Sequence, residues 1–94
     1  MVKIKANIYF DEDLELKTSE AELKIKKFIA EQEGIQYLQR ESRSYGGTYS
    51  NIRVDCMFDV DINIDDPVTY VKNKLEEEFM SVRGEVHKIM VEMT

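Results

Sequence analysis

From residue 52 to residue 64 apolar and polar side chains alternate without a break. Ile52, Val54, Cys56, Phe58, Val60, Ile62 and Ile64 share one parity. Arg53, Asp55, Met57, Asp59, Asp61 and Asn63 share the other. A helix would scatter these positions around its axis, whereas an extended strand sends them to opposite faces. The stretch therefore predicts one long strand with a buried side and a wet side. A lone strand cannot bury an apolar face by itself, so it requires neighbours in a sheet and a second layer to cover them.

The rest of the chain supplies both. Val2, Ile4, Ala6, Ile8 and Phe10 alternate with Lys3, Lys5, Asn7 and Tyr9, which predicts a first strand. Asp11, Glu12 and Asp13 end it, because three adjacent acids suit a strand poorly. Ser19 with Glu22 three residues later reads as a capping box, with Thr18 as an alternative cap. Ala21, Ile25, Phe28, Ile29 and Gln32 then form one helical stripe, and Gly34 is placed as its stop. Residues 35–44 read as a polar edge strand, and Gly46-Gly47 as the turn after it. Asp65-Asp66-Pro67 opens a second helix, with acid at the cap and proline at the first helical position. Its stripe is Val68, Val71, Leu75 and Phe79, and it ends before Gly84. Glu85 to Met93 is a last strand, with His87, Ile89, Val91 and Met93 on one face.

The order is strand, helix, strand, strand, helix, strand. Two helices with one apolar face each must cover one face of the sheet, and right-handed crossovers place the first and third strands in the centre. The expectation is a two-layer α+β domain over residues 1–94. It is a βαββαβ ferredoxin-like sandwich with a four-stranded antiparallel sheet and two helices on one face. With 94 residues the chain has room for one such core. No apolar run exceeds three residues, so a membrane-spanning helix is excluded. The first residues alternate and lack the apolar stretch of a signal peptide, so a cytoplasmic location is the default expectation.

The net charge is −6. A general nucleic-acid binder needs a cationic face that releases counterions, and an acidic chain offers one only where its few basic residues cluster. The acid is concentrated in residues 11–17, with four acids and one lysine, and in residues 51–66, with five acids and one arginine.

Catalytic and metal chemistry find little support. The one histidine, His87, falls on the parity of Ile89 and Val91 and reads as a packing residue. The one cysteine, Cys56, sits between Val54 and Phe58, where a thiol is a small inert hydrophobe. No base stands beside a nucleophile in the sequence, so an enzyme is not expected. Residues 59–65 imitate the start of a calcium loop, but Ile64 stands where the turn glycine belongs and Tyr70 where the bidentate acid belongs. No metal or cofactor is expected. Gly46-Gly47 joins strands, so it is not a phosphate loop.

Two functional expectations remain. The first is a small acidic noncatalytic protein-interaction module. Asp55, Asp59 and Asp61, with Asp11, Glu12 and Asp13, would contact a basic surface of a partner, such as that of a nucleic-acid-binding protein, and so act as a nucleic-acid mimic and inhibitor. Small acidic anti-defence inhibitors of phages supply an analogy of size and charge, without a shared motif. The second is an RNA- or small-ligand-binding regulatory domain that uses Tyr9, Tyr49, Arg40 and Arg43 on the open face. Outward apolar residues, Met57 and Met90 among them, also allow a homodimer.

Overall fold

The computed structural model describes residues 2–47, 50–61 and 63–94. Its elements are β1 (Val2–Phe10), α1 (Thr18–Ala30), β2 (Ile35–Tyr37), a 3-10 turn (Gln39–Glu41), β3 (Arg43–Gly47), β4 (Ser50–Val60), α2 (Pro67–Leu75), a π-helical segment (Glu76–Val82) and β5 (Val86–Met93). The sheet is antiparallel. β1 and β4 are central, β5 lies outside β1, and β2 and β3 both pair with the outer side of β4. Among the described residues this is the expected α+β sandwich, with five strands in place of four.

The fifth strand arises because the predicted edge strand is split. Ile35 to Tyr37 pair with β4, the chain then leaves the ladder in the 3-10 turn, and it returns at Arg43. Ser42 fixes the break. Its buried hydroxyl donates to Leu38 O at 2.8 Å and accepts from the Met57 N–H at 3.1 Å. Two backbone groups are thereby satisfied where the strand is interrupted.

The alternation in β1 and β4 is realised residue for residue. Ile4, Ala6, Ile8 and Phe10 are buried, as are Ile52, Val54, Cys56, Phe58 and Val60. β4 stops at Val60, so Asp61 follows the strand instead of belonging to it, and its N–H donates to Gly34 O at 2.7 Å. Ile62 lies outside the described residues.

α1 presents Ala21, Ile25 and Ile29 to the sheet, and α2 presents Val71 and Leu75. Past Leu75 the helix widens to a π winding. Phe79 stays fully buried, edge-on to Phe10 at 6.3 Å and to Phe28 at 5.6 Å between ring centres, while Val82 turns outward. The acidic loop after β1 is also pinned. Leu16 is buried in the core, and the Asp11 N–H donates to Glu85 O at 2.9 Å.

Three local expectations are corrected. The Ser19–Glu22 capping box does not form, because the N-cap is Lys17 with no side-chain hydrogen bond. Glu22 instead spans to the edge strands, accepting from Tyr37 Oη, Gln39 Nε2 and Ser44 Oγ. His87 does not pack inward. The β1–β5 ladder pairs Tyr9 with Lys88 but Phe10 with Val86, so His87 is the extra residue of a bulge. The bulge turns Val86 into the core and leaves His87 exposed. Gly34 is not the stop of α1, which ends at Ala30 with Glu31 as a right-handed C-cap. At φ 78° it instead turns the chain into β2, in the left-handed conformation that glycine adopts without steric cost.

Candidate binding face

The helices cover one side of the sheet, and the other side is open. Register determines which side chains stand together there. At the end of the sheet near the acidic loop, Tyr45 is opposite Arg53, Arg53 is opposite Tyr9, and Tyr9 is opposite Lys88. Directly opposite residues in an antiparallel pair share a face, so four strands contribute one transverse row of aromatic, cation, aromatic, cation. With strands about 4.8 Å apart the row is roughly 14 Å long.

The row is packed face to charge. The Arg53 guanidinium carbon lies 4.6 Å from the Tyr45 ring centre, and Lys88 Nζ lies 5.3 Å from that of Tyr9. The bulged His87 adds a third ring, 6.2 Å from Tyr9 and tilted by 50°. Its Nδ1 stands 3.2 Å from Asp11 Oδ1. Tyr9, Tyr45, Arg53 and His87, with Phe10, Glu12, Asn51 and Ile52, line a cavity of about 280 Å³. Asn51, at φ 52°, takes a left-handed conformation at this rim.

Arg53 is held from its own strand. Its Nη2 donates to Asp55 Oδ2 at 3.1 Å, and its Nε sits 3.0 Å from Asp55 Oδ1. The Nε contact is ionic and off the hydrogen-bond line, so among the described residues this buried donor has no directed acceptor. Asp55 also accepts from Asn7 Nδ2 at 2.6 Å.

The structure separates the residues of the acidic expectation. Asp11, Glu12 and Asp13 follow the end of β1, whereas Asp59 is opposite Lys3 near its start. The two groups are about 25 Å apart along the strand. Asp55 is held by Arg53 and Asn7, and Asp11 faces His87. Glu12 lines the aromatic cavity, and Asp13 is exposed. Asp59 and Asp61 line a separate shallow depression with Gly34, Ile35 and Gln36. Cross-strand pairing of Lys3 with Asp59 is displaced, since Lys3 Nζ donates to Glu41 Oε1 at 2.8 Å.

Of the residues in the RNA expectation, Tyr9 is at the centre of the row and Tyr49 lies outside the described residues. Arg43 turns away, donating to Arg40 O at 3.0 Å and Ser42 O at 2.9 Å. Arg40 is exposed on the 3-10 turn. Tyr45, Arg53 and Lys88 were missed by the sequence reading. Parity alone shows that a residue faces outward; only the register shows which outward residues meet.

Cys56 is fully buried, and burial pushes its thiol well above the ordinary range. Among the described residues no group of three histidine, cysteine or acidic side chains is placed to hold a metal ion. Among them no helix is long and apolar enough to cross a membrane. No family model, curated protein or solved structure matches the chain.

Proposed function

We propose that this chain is a noncatalytic domain that binds single-stranded RNA on the open face of its sheet. The observation that carries the reading is the registered row Tyr45–Arg53–Tyr9–Lys88 beside a cavity of about 280 Å³. Unpaired bases stack on tyrosine rings and on guanidinium planes, and the row offers both. Glu12 at the cavity rim repels phosphate but accepts hydrogen bonds from base N–H groups. A base enters the cavity, and the backbone runs past Arg53 and Lys88.

Fluorescence anisotropy of a labelled single-stranded RNA at low salt tests this. Binding is expected for the unaltered chain and is expected to be lost in Tyr9→Ala and in Tyr45→Ala, each stacking contact contributing about 1–3 kcal/mol. With two or three phosphates neutralised, log affinity should fall with log salt at a slope of about −1.4 to −2. Absence of binding by the unaltered chain, or indifference to both substitutions, overturns the reading.

The second reading, docking of a basic partner surface, rests on Asp59 and Asp61. Among the described residues neither has a cation within 4.0 Å, since the lysine opposite Asp59 is taken by Glu41. Such carboxylates are available to arginines and lysines of another protein. Reversal of both charges, in Asp59→Lys with Asp61→Lys, should abolish capture of a basic partner and leave RNA binding unchanged or stronger. Capture that survives the reversal removes this reading.

A further inference from the structure

We infer that the chain forms a symmetric dimer by antiparallel pairing of β5 with β5 of a second copy, in the register that sets Met90 opposite Met90. β5 (Val86–Met93) is the outer strand on its side of the sheet, and past the His87 bulge it runs in unbroken register from Lys88 to Met93. Among the described residues the opposite edge offers no comparable run, because the 3-10 turn divides β2 from β3 and a register shift between Tyr45 and Gly47 disturbs β3. An outer strand presents unpaired N–H and C=O groups, which a further strand can satisfy.

The phase of these groups is fixed. The Thr94 N–H donates to Lys3 O at 3.2 Å. Hydrogen-bonded and non-hydrogen-bonded pairs alternate along an antiparallel ladder, so Glu92, Met90 and Lys88 also turn their backbone groups toward β1. Ile89 and Val91 then turn theirs outward. In the proposed register Ile89 of each copy is opposite Val91 of the other, and those outward groups close four backbone hydrogen bonds. The helices of both copies stay on one side of a continuous sheet.

Charge selects the register. With Met90 opposite itself, Lys88 is opposite Glu92 of the second copy, and Glu92 is opposite its Lys88. Centring the two-fold on Ile89 puts Lys88 against Met90, and centring it on Val91 puts Lys88 against Thr94. Of these three registers, only the Met90-centred one pairs opposite charges directly across the ladder, an arrangement that favours it. It also brings together two methionines that are 49% exposed in the single chain. The His87 bulge limits the pairing to the segment from Lys88 onward. So short a segment makes a modest interface, and the dimer should depend on concentration.

Sedimentation velocity from low micromolar to near-millimolar protein tests the proposal. The unaltered chain should shift from monomer to dimer. Lys88→Glu and Glu92→Lys should each raise the dissociation constant by about tenfold or more by setting like charges opposite each other, and the double variant should restore it. Met90→Cys should cross-link under oxidised glutathione, two thiols giving one disulfide with reduction of the glutathione, because a non-hydrogen-bonded pair brings Cα atoms to about 4.5 Å. Met93→Cys, opposite His87, should cross-link far less. Circular dichroism confirms that each variant is folded. A chain that stays monomeric throughout, a dimer indifferent to both single reversals, or equal cross-linking at positions 90 and 93 overturns the proposal.

Discussion

Asp55 restrains Arg53 two positions away on the same strand face, with Arg53 Nη2 donating to Asp55 Oδ2 at 3.1 Å. The ion contact withdraws charge from the one arginine in the aromatic row. Asp55→Ala should therefore release the guanidinium toward an RNA phosphate. Affinity for single-stranded RNA should rise severalfold, and the salt slope should steepen by about 0.7 as one more phosphate is neutralised. Anisotropy titrations at several salt concentrations measure both. If Asp55 instead contacts a basic partner protein, the same substitution weakens capture of that partner and leaves RNA unaffected.

Glu22 links α1 to both halves of the broken edge strand. It accepts from Tyr37 Oη at 3.1 Å, Gln39 Nε2 at 3.1 Å and Ser44 Oγ at 3.2 Å. Tyr37→Phe removes one of these bonds and should cost about 1 kcal/mol in urea unfolding. Glu22→Ala removes all three and should cost more, with the loss of protection in hydrogen exchange concentrated in β2 and β3. Equal costs for the two variants would show that the carboxylate does not join these segments.

Legibility followed the range of the interactions. Alternation gave β1 to the residue and the buried face of β4 as far as Val60, since a buried face repeats every second position whatever lies beside it. The same alternation runs on to Ile64, four residues past the end of β4. Asp66-Pro67 gave the start of α2, because cap and first turn are local. The split of the edge strand was hidden, because it depends on the Ser42 hydroxyl reaching Leu38 and Met57. Ser19 and Glu22 had capping-box spacing, yet tertiary partners claimed Glu22. His87 followed the parity of Ile89, but a one-residue bulge reverses parity. The aromatic row was invisible for the same reason: Tyr9, Arg53, Tyr45 and Lys88 belong to four strands.

Asp66 caps α2, accepting from the Thr69 N–H at 3.1 Å and from Thr69 Oγ1 at 2.7 Å. These bonds, that of the hydroxyl first, hold its carboxyl below the ordinary value of 3.8. A lowered folded pKa gives stability that is present above the unfolded value and lost as pH falls through the folded one. Asp66→Ala should lower the thermal midpoint by a few degrees at pH 7, and the difference from the unaltered chain should shrink as pH falls below the ordinary value of 3.8. A difference that persists in acid would assign the effect to something other than the ionised cap.

Cys56 makes the alkaline limb testable. Burial raises its thiol above the ordinary 9.0, with the Glu22 charge adding to the effect. In the unfolded chain the thiol loses its proton near that ordinary value, while in the folded chain it keeps it. Above about pH 9 the unfolded state therefore binds fewer protons, and stability should fall toward a slope of about 1.4 kcal/mol per pH unit. Cys56→Ala should remove the thiol's part of this slope, most clearly near pH 9, where Tyr37, with an ordinary value of 10.0, contributes less. Tyr37 behaves in the same sense, since burial raises its hydroxyl too. Urea unfolding of both chains across this window gives the difference directly. The folded thiol should also resist alkylation until the chain opens, because Cys56 is 0% exposed. Parallel stability profiles for the two chains, or rapid alkylation of the native protein, would contradict the buried neutral thiol.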